Sequence, residues 1–392
     1  MTAELSAAER QVLDWLASQE EAMQALLAQL VNIDSNSYNK AGVDEAGQAI
    51  RAFLDRHGVG CEVIPNEKFG DAIRATVGMR GERNILLMGH RDTVFPDGEA
   101  QRRPFKRDGA RAYGPGVTDM KAGLVMNSFV AAAMQKFGGA PAPLVVLYTA
   151  DEEIGSPSSR ATIEAEARRA RLVLNAEPGR PDNAVVTGRK ACVFMRFEVI
   201  GKAAHAGANF EQGISAIGEA AHKVVALHAL TDLKKGVSVN VGIIAGGQTV
   251  NTIAPNARGE VEFRYIEPAD RDATLDKIKA IMAQPTVPGT SASLEIYAEF
   301  LPLVQSAASK RLFEHYVDCG HALGQEVTGV FTGGCADSGF ACAVGAPTIC
   351  ATGPIGGRTH SPDEFVEIET VVPRAQLLAL AVLRSDRFLT NT

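Results

Sequence analysis

The sequence predicts an α/β protein: a mainly parallel sheet flanked by helices, with a ferredoxin-like α+β unit inserted into it. Three observations carry this. Runs of consecutive apolar residues, of the kind buried on both faces of a parallel sheet, recur at Ile85-Leu86-Leu87-Met88, Leu144-Val145-Val146-Leu147, Leu172-Val173-Leu174 and around residues 347–351. Between residues 191 and 298 the style changes to strand, helix, strand, strand, helix, strand, the order of a split β-α-β unit. After residue 306 the earlier style resumes, so the small unit interrupts the large one. The expected segments are 1–187 and 301–392 for the large domain and 188–300 for the inserted one.

Taken in order, residues 7–33 place apolar side chains at helical spacing between charged ones, as in Ala8-Glu9-Arg10-Gln11-Val12-Leu13-Asp14-Trp15-Leu16, and predict amphipathic helices. Residues 47–57 continue in that mode, and Cys61-Glu62-Val63-Ile64 reads as a strand. Strand and helix then alternate up to Glu177. Within the insertion, strands are expected at 191–200, 237–245, 259–266 and 293–298, and helices at 213–230 and 270–282. A final helix at 371–383 closes the large domain.

The 392 residues, 46% hydrophobic, are enough for two cores. The net charge of −7 comes from interspersed acids and bases, without the basic stripe or aromatic-basic interleaving that nucleic acid requires. No stretch approaches the length of a membrane span and Met1-Thr2-Ala3-Glu4-Leu5-Ser6 lacks the form of a signal peptide, so a cytoplasmic location is expected. The six cysteines are dispersed and show no C-x-x-C pair; they read as buried thiols.

The chemistry gathers just past the predicted strand ends. Gly89 ends the first run and His90-Arg91-Asp92 follows; a lone His-x-Asp is usually an ordinary hydrogen-bonded pair. Here the pattern repeats. The second run leads into Asp151-Glu152-Glu153, three carboxylates that normally belong on a solvated loop. The third delivers Glu177, and the last is followed by a glycine-rich turn and His360. Between the first two, Tyr113-Gly114-Pro115-Gly116-Val117-Thr118-Asp119 presents one acid ahead of a helix. In an open α/β sheet the carboxyl ends of strands are where ligands bind. Imidazoles and several carboxylates at one such edge need a cation, and the donor set suits zinc or a neighbouring transition metal.

These residues stand in the order of a known family. His90-Arg91-Asp92, Gly116-Val117-Thr118-Asp119-Met120-Lys121-Ala122-Gly123, Asp151-Glu152-Glu153-Ile154-Gly155-Ser156, Glu177-Pro178, Gly201-Lys202-Ala203-Ala204-His205-Ala206-Gly207 and Thr359-His360-Ser361 resemble the motifs of peptidase family M-twenty. Its co-catalytic zinc peptidases and amidohydrolases include glutamate carboxypeptidase, aminoacylase, acetylornithine deacetylase and succinyl-diaminopimelate desuccinylase. The resemblance spans nearly the whole chain, and Glu177-Pro178 with the Tyr113-Gly114-Pro115-Gly116 lead-in is closest to glutamate carboxypeptidase. One departure is Ala122, where a glycine is usual.

The resemblance implies a zinc-peptidase catalytic domain with an inserted lid or dimerisation domain, two zinc ions per subunit (cobalt and manganese being the other candidates), and a homodimer. Asp119 would bridge the ions, His90 and Glu177 would complete one site, and Glu153 and His360 the other. Asp92 would orient His90, Glu152 would act as base and then acid, and His205 would stabilise the oxyanion. Arg264, with Asn251, would clamp a free α-carboxylate, although the alternation Glu260-Val261-Glu262-Phe263-Arg264 also reads as a surface ion-pair ladder. Gly334 lies in a glycine-rich loop expected near the substrate. The implied reaction is hydrolysis of a peptidyl or N-acyl amide in a small molecule or short peptide with a free carboxylate. An aminoacylase or other amidohydrolase, and a metal-binding dimer without turnover, are the alternatives. Glu299-Phe300-Leu301-Pro302 carries no basic residue to pair with a glutamate side chain.

Other classes lack their signatures. No G-x-G-x-x-G follows the first strand, the P-loop pattern is absent, and Gly213-Ile214-Ser215-Ala216-Ile217 breaks the nucleophile elbow at its last position.

Overall fold

The computed structural model of the chain describes residues 4–79 and 83–390. The polypeptide divides into two compact units. The first comprises the residues up to Gly188, Leu303–Thr332 and those from Ala336 onward; the second comprises Arg189–Pro302 and Gly333–Cys335. The three residues of that last loop lie in a stretch that the sequence assigned to the other segment.

In the first unit, a six-stranded sheet runs in the order Gly60–Ile64, Ala72–Val77, Leu144–Thr149, Asn84–His90, Ala170–Asn175, Thr348–Ile349. The four strands from Leu144–Thr149 onward are parallel neighbours, whereas Ala72–Val77 runs antiparallel to both strands beside it. Every residue of Asn84–His90 and of Leu144–Thr149 is buried, as unbroken apolar runs require of strands covered on both faces. The helix Ala122–Lys136 is buried from Ala122 through Met134. Its neighbours are the helices Ala7–Ala17, Glu20–Val31, Lys40–Arg56 and Val371–Leu383, which accounts for a helix apolar all round. The first helix begins with a capping box: the Ser6 hydroxyl accepts from the Glu9 N–H and the Glu9 carboxylate accepts from the Ser6 N–H.

A second, small sheet positions the centre described below. It runs Gly356–Gly357, Phe365–Glu367, Arg111–Tyr113, Lys106–Asp108, all antiparallel, with Phe365 opposite Tyr113. This pairing brings the loop that carries Asp119 against the segment that carries His360.

The second unit is a four-stranded antiparallel sheet, ordered Ser238–Gly246, Asn256–Tyr265, Ala191–Ile200, Ser291–Phe300, with the helices Ala216–His228 and Pro268–Ala283. Val193, Met195, Phe197 and Val199 alternate into its core while Arg196, Glu198 and Ile200 are exposed. Glu219 and Lys223 form a buried ion pair there; Lys223 donates to the Ile281 and Gln284 carbonyls and Glu219 accepts from the Thr286 and Val287 N–H groups. All six cysteines are free thiols. Among the described residues no helix is long and apolar enough to cross a membrane.

Candidate metal centre and active site

Strand register sets the site. His90 lies opposite Thr149, and Met88 opposite Asn175, so Glu152, Glu153 and Glu177 emerge level with His90 at the carboxyl edge of the sheet. Gly89 leaves room at this strand end for the tips of Met120 and Leu124, which a Cβ would meet at 2.6 and 2.7 Å, and Met120 Sδ accepts the His90 N–H at 3.3 Å.

The three successive acids are separated by their hydrogen bonds. Asp151 turns inward and accepts from the Ser158 N–H (2.6 Å) and hydroxyl (2.7 Å). The N–H groups of Glu152 and Glu153 donate instead to Asp92, at 3.2 and 3.0 Å. Asp92 is fully buried and takes a further hydrogen bond from the Ser37 hydroxyl (2.6 Å). His90 Nδ1 stands 3.0 Å from the main-chain oxygen of Asp92 and 3.4 Å from its carboxylate. A proton on Nδ1 satisfies these acceptors and turns Nε2 toward the acids.

Two groups of ligand-type atoms result: His90, Asp119 and Glu177 on one side, Asp119, Glu153 and His360 on the other, each within 4.8 Å of one another. His90 Nε2 is 3.3 Å from Asp119 Oδ1, 3.6 Å from Glu177 Oε1 and 3.9 Å from Glu152 Oε2. His360 Nε2 is 3.4 Å from Asp119 Oδ2 and 3.2 Å from Glu153 Oε2. Asp119 therefore turns one oxygen to each histidine. His360 holds the left-handed backbone region (φ 60°), which costs a non-glycine residue about 1–2 kcal/mol.

Electrostatics show how much charge converges here. Burial alone would lower the His90 imidazolium, but Asp119, Asp92 and Glu152 outweigh it and hold it well above the ordinary histidine range. Hydrogen bonds to Asp119 and Glu153 raise His360 to about 10. Burial pushes Glu153 up to about 7, and it pushes Glu152 well above the carboxylate range, with Glu177, Asp337 and Glu153 adding to the effect. In Asp119 the two histidines overcome burial and keep the carboxyl low.

The donor set fits divalent cations. His90 Nε2 and Glu153 Oε1 are buried without a hydrogen bond among the described residues, and both side chains belong to the ligand groups. A buried polar atom so placed is satisfied by an ion, and imidazole plus carboxylate ligands match zinc and its neighbours.

The remaining sequence-predicted residues lie in the second unit. His205 is exposed, and its Nδ1 accepts from the Gly207 and Ala208 N–H groups, both at 3.1 Å, so its Nε2 carries the proton and is the donor. His205 pairs across a bridge with Thr252, and the neighbouring Asn251 is exposed while its carbonyl accepts from the Ala206 N–H. Arg264 forks onto Glu262 (3.2 and 2.9 Å) and donates to the Gly333 carbonyl (2.8 Å), so the ladder reading of this strand describes its side-chain partners. The Gly334 carbonyl accepts from Arg189 at 3.1 Å. Two residues stand outside the motifs, Ser37 on Asp92 and Glu364 behind Asp119, while Asp337, which follows Gly334 in the glycine-rich loop, accepts from Thr149 and Ser156. Of the two only Glu364 carried a signal, being an acid four residues beyond His360.

A parallel α/β sheet that brings two histidines and a set of carboxylates to one edge defines a metal-dependent hydrolase. The chain belongs to peptidase family M20/M25/M40, whose model matches residues 86–384. It is 29% identical over 376 residues to carboxypeptidase G2 of Pseudomonas sp. (strain RS-16), covering 93% of this chain and 89% of that protein. It is 32% identical over 283 residues to acetylornithine deacetylase of Myxococcus xanthus, covering 65% and 70%. The M20 family metallo-carboxypeptidase Sso-CP2 of Sulfolobus solfataricus shares the fold with a TM-score of 0.77 at 16% identity, over 92% of this chain and 99% of that one.

Proposed function

We propose that the protein is a two-metal amidohydrolase that cleaves a peptidyl or N-acyl amide next to a free carboxylate, as a glutamate carboxypeptidase does. The observation that carries this reading is Asp119, whose two oxygens face His90 at 3.3 Å and His360 at 3.4 Å and belong to both ligand groups. His90 and Glu177 would hold one cation with Asp119; Glu153 and His360 would hold the other. Bound there, two zinc ions would acidify water and polarise the scissile carbonyl.

The protein groups divide the remaining work. Glu152, buried and beside His90, takes a proton from the attacking water and returns it to the departing nitrogen, so amide and water become acid and amine. Asp92 holds the Glu152-Glu153 turn by both N–H groups and fixes His90 from behind. The Nε2–H of His205 suits an oxyanion, and in a homodimer it would serve the partner's centre. Arg264 and Asn251 would recognise the α-carboxylate, with Arg264 exchanging Glu262 for substrate.

The deacylase reading has one observation of its own. Arg271 is occupied by Glu299, and no basic residue stands in Glu299-Phe300-Leu301-Pro302, which disfavours selection of an acidic side chain.

The test is metal-dependent hydrolysis of a panel of dipeptides and N-acyl amino acids by the wild-type protein and by Glu152→Ala. The variant should keep its metal and lose about 10²–10⁴-fold in kcat. Unchanged rates would remove Glu152 from the mechanism, and metal binding without turnover of any substrate would leave a binding protein.

A further inference from the structure

We propose that Glu364 is a positioning residue for Asp119: it holds the backbone of the 116–119 loop and thereby sets where the shared carboxylate places its two oxygens. The inference rests on the two-cation reading above and adds a residue to it. Glu364 has no exposed surface. Its Oε1 accepts from the N–H groups of Thr118 (2.9 Å) and Asp119 (3.0 Å), and its Oε2 from that of Gly116 (3.2 Å). Gly116, at φ 70°, turns the chain so that these N–H groups converge on one point, forming a concavity for an anion. Glu364 supplies that anion from within the chain.

The carboxylate is itself held. Its own N–H donates to the Ser361 carbonyl (3.2 Å), and the next residue, Phe365, pairs with Tyr113. On the other flank Gly356 lets the hairpin approach, since a Cβ there would meet Thr118 Oγ1 at 2.1 Å. Asp119 is thus fixed through its main chain while its side chain is left to the histidines. Only an ionised carboxylate has two acceptor oxygens and no donor; an amide in its place would turn an NH₂ group toward a backbone N–H.

Two variants, Glu364→Gln and Glu364→Asp, test this beside the wild type. Cobalt(II) is titrated into each metal-free protein by calorimetry, and the visible absorption of the bound ion is recorded. Because Asp119 belongs to both ligand groups, Glu364→Gln should weaken both binding events together, by about 10–100-fold, and alter the cobalt spectrum. Glu364→Asp keeps the charge on a shorter arm and should fall between. Loss of affinity in only one binding event would mean that Glu364 merely stiffens the hairpin around His360, and the proposal would fail. Wild-type affinities and spectrum in Glu364→Gln would also overturn it, while leaving the two-cation reading intact. That reading fails separately if the wild-type protein binds no second ion. Should Glu364→Gln not fold, the same comparison is made on Glu364→Asp, where an unweakened pair of binding events refutes the proposal.

Discussion

Replacing Gly123 by alanine would place a methyl group 2.1 Å from the main-chain oxygen of Ala176, the residue that precedes Glu177. Ordinary contact begins near 3.4 Å, so the two segments would have to part by about 1.3 Å. Both sides of the clash are backbone, one in the buried helix Ala122–Lys136 and the other at the end of Ala170–Asn175, and no flexible side chain can yield. Alanine gains about 1 kcal/mol in helix propensity, and overpacking costs about 1–3 kcal/mol. The net loss of stability is therefore small. Displacement is the larger effect: a shift of about 1 Å at Glu177 relative to His90 and Asp119 should lower turnover about 10²-fold and weaken one cation more than the other. The assay is metal stoichiometry and kcat/KM of Gly123→Ala, with a thermal melt to show that the fold persists. Gly60→Ala is the control, since a Cβ there meets nothing within 4 Å. Full metal occupancy at the unsubstituted rate in Gly123→Ala would show that this close approach does not place Glu177.

Two further outcomes concern protons. Interaction with Arg384 holds the Glu9 carboxyl at about 2 against an ordinary 4.5. A depressed acid stabilises the fold above its unfolded value and loses that stabilisation as the pH falls through the folded one, so about 3 kcal/mol should disappear between pH 5 and pH 2. Denaturant unfolding of Glu9→Gln should show this loss already at pH 7 and a flatter acid limb; identical limbs would contradict it. At the metal centre, His360 is raised to about 10 and Glu153 to about 7 in the metal-free protein, so loading a divalent cation at pH 7 must expel protons. Calorimetry in buffers of different ionisation enthalpy should report net proton release, and affinity should rise with pH up to about 10; a buffer-independent heat would refute this.

Elements with long, uniform patterns could be read from residues alone. The run Ile85-Leu86-Leu87-Met88 announces a strand covered on both faces, the helix Val371–Leu383 spans the residues its pattern suggests, and the strand-helix order of residues 191–298 matches the observed unit. Ala72–Val77 was hidden because Arg74 interrupts it, buried by ion pairs to Glu62 and Glu166 that no local pattern encodes. The small sheet was hidden as well: strands of two or three residues, one of them Gly356–Gly357, carry no periodicity. The same limit applies to the centre. Ligand-type residues leave a signature in residue type and position after a strand. Ser37, which is 55 residues from Asp92, leaves none, and Glu364, which touches only main-chain N–H groups, leaves no more than its place four residues beyond His360. Arg264 shows the reverse case: alternation puts it on one face with Glu262, yet only the folded chain shows its fork engaged there.

Most of the second unit, Arg189–Pro302, interrupts the first and has a core of its own. During synthesis the inserted unit can therefore finish folding while its host is still incomplete. His360 and Glu364 leave the ribosome after every other residue that the centre uses. A nascent chain stalled before them would present His90, Asp119 and Glu177 with one histidine missing and the Asp119 loop unsupported. The ligand group of Asp119, Glu153 and His360 would then be completed in one late step.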